Sequence, residues 1–285
     1  MRLLIAALAG VSFPPVTACQ RAWLRQKLGD DALLIAALSL DALMVELVFI
    51  AGSLLVALLV ALVSPAAAVV AAAICGLIGS LQFMRTRALL SWKRETQFSG
   101  AFLVPLAEPR FAALLVLVCG YASVFGLVEI GVTAYAAESA HPALAGVLLG
   151  VMSIGSAAGA LAYGTRHWHM PLDRQFSYSL ALMGVGIAPL ALVSHPLAFA
   201  LWCVVAGVAM TPTLIIQATL VAKSVRTENA TEGFTWSATA LLAGVGLGLA
   251  SGGLMLENGP VARLFLVAAL VGVAAGLVAR ATLRA

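Results

Sequence analysis

Residues 35–63 read IAALSLDALMVELVFIAGSLLVALLVALV, a run with no Lys, Arg or His and only two acids, Asp41 and Glu46. A membrane crossing needs about 20 apolar residues, and this run exceeds that. The rest of the chain follows suit. Of 285 residues 62% are hydrophobic and 10% are charged, with mean hydropathy +1.07; an ordinary soluble domain is about 25% charged. A soluble core of this size cannot hide so much apolar surface. Composition therefore excludes a cytosolic enzyme, a nucleic-acid-binding domain and a disordered segment. The fold class expected is an all-α polytopic membrane protein, with the lipid bilayer as its first partner.

Working outward from that run, nine candidate spans emerge: 2–20, 35–63, 66–86, 110–137, 142–163, 175–194, 197–221, 234–256 and 261–281. Breakers separate them at Ser64-Pro65, His141-Pro142, Met170-Pro171, His195-Pro196 and Asn258-Gly259-Pro260. The net charge of +4 is then a topology signal rather than a nucleic-acid footprint. Fourteen basic residues fall on alternate loops: Arg21, Arg25 and Lys27; Arg85, Arg87, Lys93, Arg94 and Arg110; Arg166 and Arg174; Lys223 and Arg226; Arg280 and Arg284. Arg2 and Arg263 alone fall on the other side. By the positive-inside rule the C-terminus is cytoplasmic, and nine spans put the N-terminus outside. The beginning of the chain also imitates a signal peptide, with Val16-Thr17-Ala18-Cys19 like a lipoprotein cleavage box. Pro14-Pro15 interrupts that run, and the basic residues after Cys19 mark a cytoplasmic loop instead.

Residues 87–109 are the longest polar stretch and read as a cytoplasmic linker with room for a short amphipathic helix. The expected domains are a partial N-terminal bundle of three helices at 1–86, the linker at 87–109, and a six-helix C-terminal bundle at 110–285. The six divide again near His195-Pro196, giving blocks of three helices, a repeat unit of several secondary transporters.

Several motifs carry a resemblance. Ser39-Leu40-Asp41 leads through Glu46 to Phe49-Ile50-Ala51-Gly52-Ser53; Gly155-Ser156-Ala157-Ala158-Gly159 leads to Tyr163-Gly164 and Arg166; Thr231 to Trp236 precedes Gly244, Gly246, Gly248, Gly252 and Gly253. In this order and with these loops the chain resembles a major facilitator superfamily transporter of the bacterial efflux kind. The three stretches look like that family's fifth, eighth and eleventh helices, with Ser53 where the group usually has Pro. The resemblance covers helices four to twelve and lacks the first three. It implies a proton-coupled antiporter of the cell inner membrane, monomeric, working by alternating access without a cofactor. It also accounts for the outside N-terminus, through a late start or a truncation, and leads to an expectation of impaired or absent transport by this polypeptide alone. The alternative is a non-transporting membrane remnant or scaffold.

Ionisable groups inside spans cost about 2.5–3.5 kcal/mol at a helix centre on insertion scales, and three stand out: Asp41, Glu46 and Glu129. Asp41 and Glu46 are five residues apart, so about 140° apart around a helix, and cannot share one narrow cavity wall. A packing role, satisfied by basic cytoplasmic residues, is favoured for that pair over a proton or substrate role. Glu129 is the stronger pathway candidate, because the resemblance implies that the first helix of a repeat lines the cavity; a structural role is its alternative. Thr211, Pro212, Thr213 and Gln217 could line a bent cavity wall or serve interhelical bonding. The Gly155/Gly159, Gly244/Gly248 and Gly248/Gly252 pairs have spacing for close helix packing. The four cysteines form no C-x-x-C pair and read as small hydrophobes. His167-Trp168-His169 lacks a third close ligand, so no metal is expected. No nucleotide-binding or nucleophile motif is present, so no enzyme is expected.

Overall fold

The computed structural model describes residues 16–86, 104–139, 144–166 and 168–283. Among the described residues ten α-helices run in order: α1 Val16–Lys27, α2 Asp31–Leu62, α3 Pro65–Met84, α4 Pro109–Glu138, α5 Leu144–Gly164, α6 Leu172–Ile187, α7 Pro196–Gly207, α8 Met210–Ser224, α9 Ala230–Glu257 and α10 Ala262–Thr282. Short 3-10 turns occupy Val104–Ala107, Ala188–Ala191 and Thr227–Asn229, and no strand occurs among the described residues. The protein is an all-helical, polytopic membrane type. Among the described residues seven segments are long and apolar enough to cross a bilayer: α2, α3, α4, α5, the α7–α8 pair, α9 and α10.

Sequence signals set the helix ends. Asp30 caps α2 by accepting from Ala32 N at 3.0 Å, and Ser64 caps α3 by accepting from Ala67 N at 3.2 Å. Pro65, Pro109 and Pro196 sit in first turns, where a missing N–H costs nothing.

The expected spans at 175–194 and 197–221 differ from what is observed. The span at 175–194 is helical only to Ile187 and then tightens into a 3-10 turn. Pro189 is the cause, since its ring crowds the carbonyl four residues back and it donates no bond there. With Asp173, Arg174 and Gln175 in its first turn, α6 falls short of the length and hydropathy of the seven. The span at 2–20 lies mostly outside the described residues. Its described end opens a polar helix, α1, which carries Arg21, Arg25 and Lys27. The linker at 87–109 is described only from Val104. Within 197–221 the helix is interrupted at Val208–Ala209, and again a proline sets the place: Pro212 cannot bond the carbonyl of Val208.

Three seams hold α4–α10 together. In a bilayer, apolar burial does not drive helices together, so close backbone approach carries more of the work. On the α4–α9 seam, a Cβ added at Gly244 would lie 2.2 Å from the Cys119 carbonyl oxygen, and one at Gly248 2.1 Å from that of Ser123. Gly252 meets Ile130 there. On the α5–α7 seam the distances are 1.9 Å from Gly155 to the Val204 oxygen and 2.0 Å from Gly159 to the Val208 oxygen. The third seam is antiparallel, between α6 and α10: Gly184 lies against Ala269 and Gly276 against Ser177. So α6 runs beside a membrane-length helix. The α2 helix crosses antiparallel to α5 and also touches α8, while α3 packs chiefly on α2.

Candidate functional site

Beyond Asp31 in its first turn, the two acids within the α2 span, Asp41 and Glu46, part company, as their angular separation requires. Asp41 is buried and faces α1, where Arg21 Nε donates to Oδ2 at 2.8 Å and Gln20 Nε2 to Oδ1 at 3.1 Å. It is a block-internal ion pair. Glu46 faces the other way, onto α5 and α8. Thr211 Oγ1 donates to its Oε1 at 2.6 Å and Ser156 Oγ to the same oxygen at 2.9 Å. Its partners are thus hydroxyls of the C-terminal bundle rather than basic cytoplasmic residues.

Beside this contact lies a cavity of about 260 Å³. Glu46 and Phe49 form its α2 wall, and Phe125 and Glu129 its α4 wall. Met152, Ser153 and Ser156 come from α5, and Leu214 and Leu241 from α8 and α9. No Lys, Arg or His among the described residues lines it. Two carboxylates therefore stand in an otherwise mostly apolar space without a lining cation. The Glu129 side chain is exposed and carries no ion pair or hydrogen bond among the described residues, whereas Glu46 is half-buried and held.

The remaining candidates serve the bundle. Thr213 is fully buried and its hydroxyl bonds back to the Ala209 carbonyl at 2.7 Å, at the α7–α8 break. Gln217 accepts from the Tyr121 hydroxyl and donates to Ser237 Oγ at 2.6 Å, tying α4, α8 and α9. It is not among the residues that line the cavity. Gly155 and Gly159 set the α5–α7 spacing, and the hydroxyl of Ser156, between them in sequence, reaches Glu46 and Thr211. Sequence reasoning did not single out Ser156, although a small hydroxyl within a close-approach motif was the available signal. Nothing in the sequence linked Tyr121 or Ser237 to Gln217.

A second, wider hollow of about 800 Å³ opens at the basic end, between the start of α2 and the α5–α6 turn. Its wall includes Asp30, Asp31, Arg166, His169 and Lys223, and Lys223 Nζ bridges to Asp31 at 2.6 Å. Nearby, Arg25 Nε donates to the Ala222 carbonyl at 2.9 Å. These contacts fasten the first block to α8 at that end. His167 lies outside the described residues, and the described ones hold no cluster of three metal-ligating side chains.

Neither a protein-family model nor a curated protein matches this chain. The major facilitator resemblance rests on the quoted residues and helix order.

Proposed function

We propose that the chain is a secondary active transporter of the major facilitator type, moving a small molecule outward across the inner membrane in exchange for protons. The observation that carries this reading is the cavity between α2 of the first block and four helices of the C-terminal bundle, with Glu46 and Glu129 in its wall. A cavity at the meeting of helical blocks is where alternating access puts its substrate. Intramembrane carboxylates in such a place mark ion or substrate paths. Aromatic and aliphatic walls with two acids and no base suit a small apolar molecule carrying one positive charge. The contacts of Arg25, Asp31 and Lys223 tie the first block to α8 at the basic end. By the positive-inside rule that end is cytoplasmic, and α6 with its 3-10 extension supplies the crossing that the charge alternation requires.

Proteoliposomes carrying this chain and loaded with a fluorescent lipophilic amine test the reading. Flux driven by an imposed pH gradient, even if slow, that disappears in Glu46→Gln supports it. Absence of any gradient-driven flux, with the protein folded and inserted, favours the non-transporting scaffold.

A further inference from the structure

The seam between α6 and α10 ends, on the basic side, in two arginines without an acid. Arg174 lies in the first turn of α6 and Arg280 in the last turn of α10, and the antiparallel crossing brings these helix ends to the same side. Both are exposed, and neither forms an ion pair among the described residues. Arg280 is nonetheless held in place. Its Nη1 donates to the Tyr178 hydroxyl at 3.3 Å, and its guanidinium stands 5.8 Å from the centre of that ring. A guanidinium has five N–H donors, so most of its capacity is left for an acceptor from outside. Tyr178 follows Arg174 by one turn on the same face of α6. Beside them the seam is tight: Ser177 Oγ donates to the Gly276 carbonyl at 2.6 Å, and a Cβ at Gly184 would lie 2.5 Å from the Ala269 carbonyl oxygen.

The face with Arg174 and Tyr178 continues along α6 as Leu182 and Val185, which are 59% and 61% exposed. They follow Tyr178 at helical spacing and so keep to one flank. On α10, Leu277 and Leu270 share a flank with Arg280 in the same way and are exposed as well. Because Arg280 reaches Tyr178, both stripes lie along the same side of the seam. That side is cationic at the basic end and aliphatic beyond.

We propose that this side of the seam binds one anionic phospholipid of the bilayer, its phosphate between Arg174 and Arg280 and its acyl chains along Leu182, Val185 and Leu277. Guanidinium forks match phosphate oxygens, and such charge-assisted bonds are the strong ones. Basic pockets between helices at the cytoplasmic face suit anionic headgroups. Two features select this occupant. The aliphatic continuation rewards a lipid and gives free phosphate nothing. The lack of a carboxylate on the flank rewards an anionic headgroup over a zwitterionic one, whose ammonium would find no partner. The α10 helix has no acid, and Asp173, the acid of α6, is turned about 100° from Arg174. The wider hollow at the same end has no such preference, since Asp30 and Asp31 stand in its wall. A phosphate held by both arginines ties the start of α6 to the end of α10 and keeps the polar first turn of this short helix at the membrane surface. Binding here rests on the membrane placement of α6 beside α10, not on transport.

The test is native mass spectrometry of the full chain, purified in detergent and titrated with dioleoyl phosphatidylglycerol. Wild type is expected to bind one such lipid saturably and to prefer it to dioleoyl phosphatidylethanolamine. Arg174→Gln and Arg280→Gln together should weaken binding about tenfold or more. Tyr178→Phe keeps both charges but releases Arg280, and should weaken it about threefold; it keeps the test sound if the double variant does not fold. Arg263→Gln removes an exposed charge at the other end of α10 and should leave binding unchanged. Equal affinity for the two lipids overturns the proposal, as does binding that neither the double variant nor Tyr178→Phe weakens, or an equal loss in Arg263→Gln. Displacement of the lipid by equimolar inorganic phosphate also overturns it, in favour of a free-anion site.

Discussion

Helices α3 and α4 are both long, apolar and rich in small residues, yet 6% of the α3 membrane window is buried against 61% of that of α4. Gly76 and Gly79 on α3, and Gly52 on α2, have nothing within 4 Å of where a Cβ would stand. Gly126 on α4 has the Val245 carbonyl oxygen at 2.3 Å. Small residues thus permit a seam but do not make one; an opposing backbone must arrive. The two regions are also joined differently. The seams within α4–α10 are made by backbone approach. Polar side chains supply much of the junction between the first block and the bundle: Glu46 on Ser156 and Thr211, Arg25 on the Ala222 carbonyl, and Lys223 on Asp31. Close approach there is seen at Gly164, where a Cβ would stand 2.6 Å from Ser39 Cβ.

Substitutions can break or sharpen this contrast. The largest effect is expected from Gly248→Leu, which forces a side chain into the Ser123 carbonyl. It should cost about 3 kcal/mol or more, at the upper end for overpacking, whereas Gly76→Leu should leave thermal unfolding in detergent unchanged. An equal loss at both sites would erase the distinction. Next comes Arg21→Ala. It strands the buried Asp41, and removing one partner of a buried pair costs up to about 3–5 kcal/mol; Arg21 is 23% exposed, so about half that is expected. The double variant Arg21→Met, Asp41→Leu should recover much of the loss in the same unfolding assay. Thr211→Val removes one donor from Glu46 and should cost about 1–2 kcal/mol, with cross-linking between α2 and α8 reporting a loosened junction. The smallest effect belongs to Lys223→Ala. Its pair with Asp31 is exposed on both sides, and about 0.5 kcal/mol or less is expected, vanishing in high salt.

Much of the helix order was legible because span length, prolines and caps are local signals. The start of α3 follows from Ser64-Pro65 and that of α7 from His195-Pro196. The shortening of α6 at Ile187 was also written in Pro189, but the apolar residues on either side concealed it. The distribution of the acids was less legible. Their spacing said that Asp41 and Glu46 face apart. It did not say which one would meet Arg21 and which would meet two hydroxyls more than a hundred residues away, since those partners are chosen by helix packing. Gln217 shows the same limit: a polar residue in a span is ambiguous until Tyr121 and Ser237 are found to occupy it.

The central claim is that Glu46 and Glu129 wall a cation-accepting cavity between the first block and the bundle. Equilibrium binding of a lipophilic phosphonium cation to the chain in nanodiscs tests it most directly, since binding needs no complete transport cycle. The account predicts saturable binding, weakened about tenfold, or about 1.4 kcal/mol, by either Glu46→Gln or Glu129→Gln, and unchanged by Lys223→Ala. Binding that neither glutamine substitution weakens would contradict it.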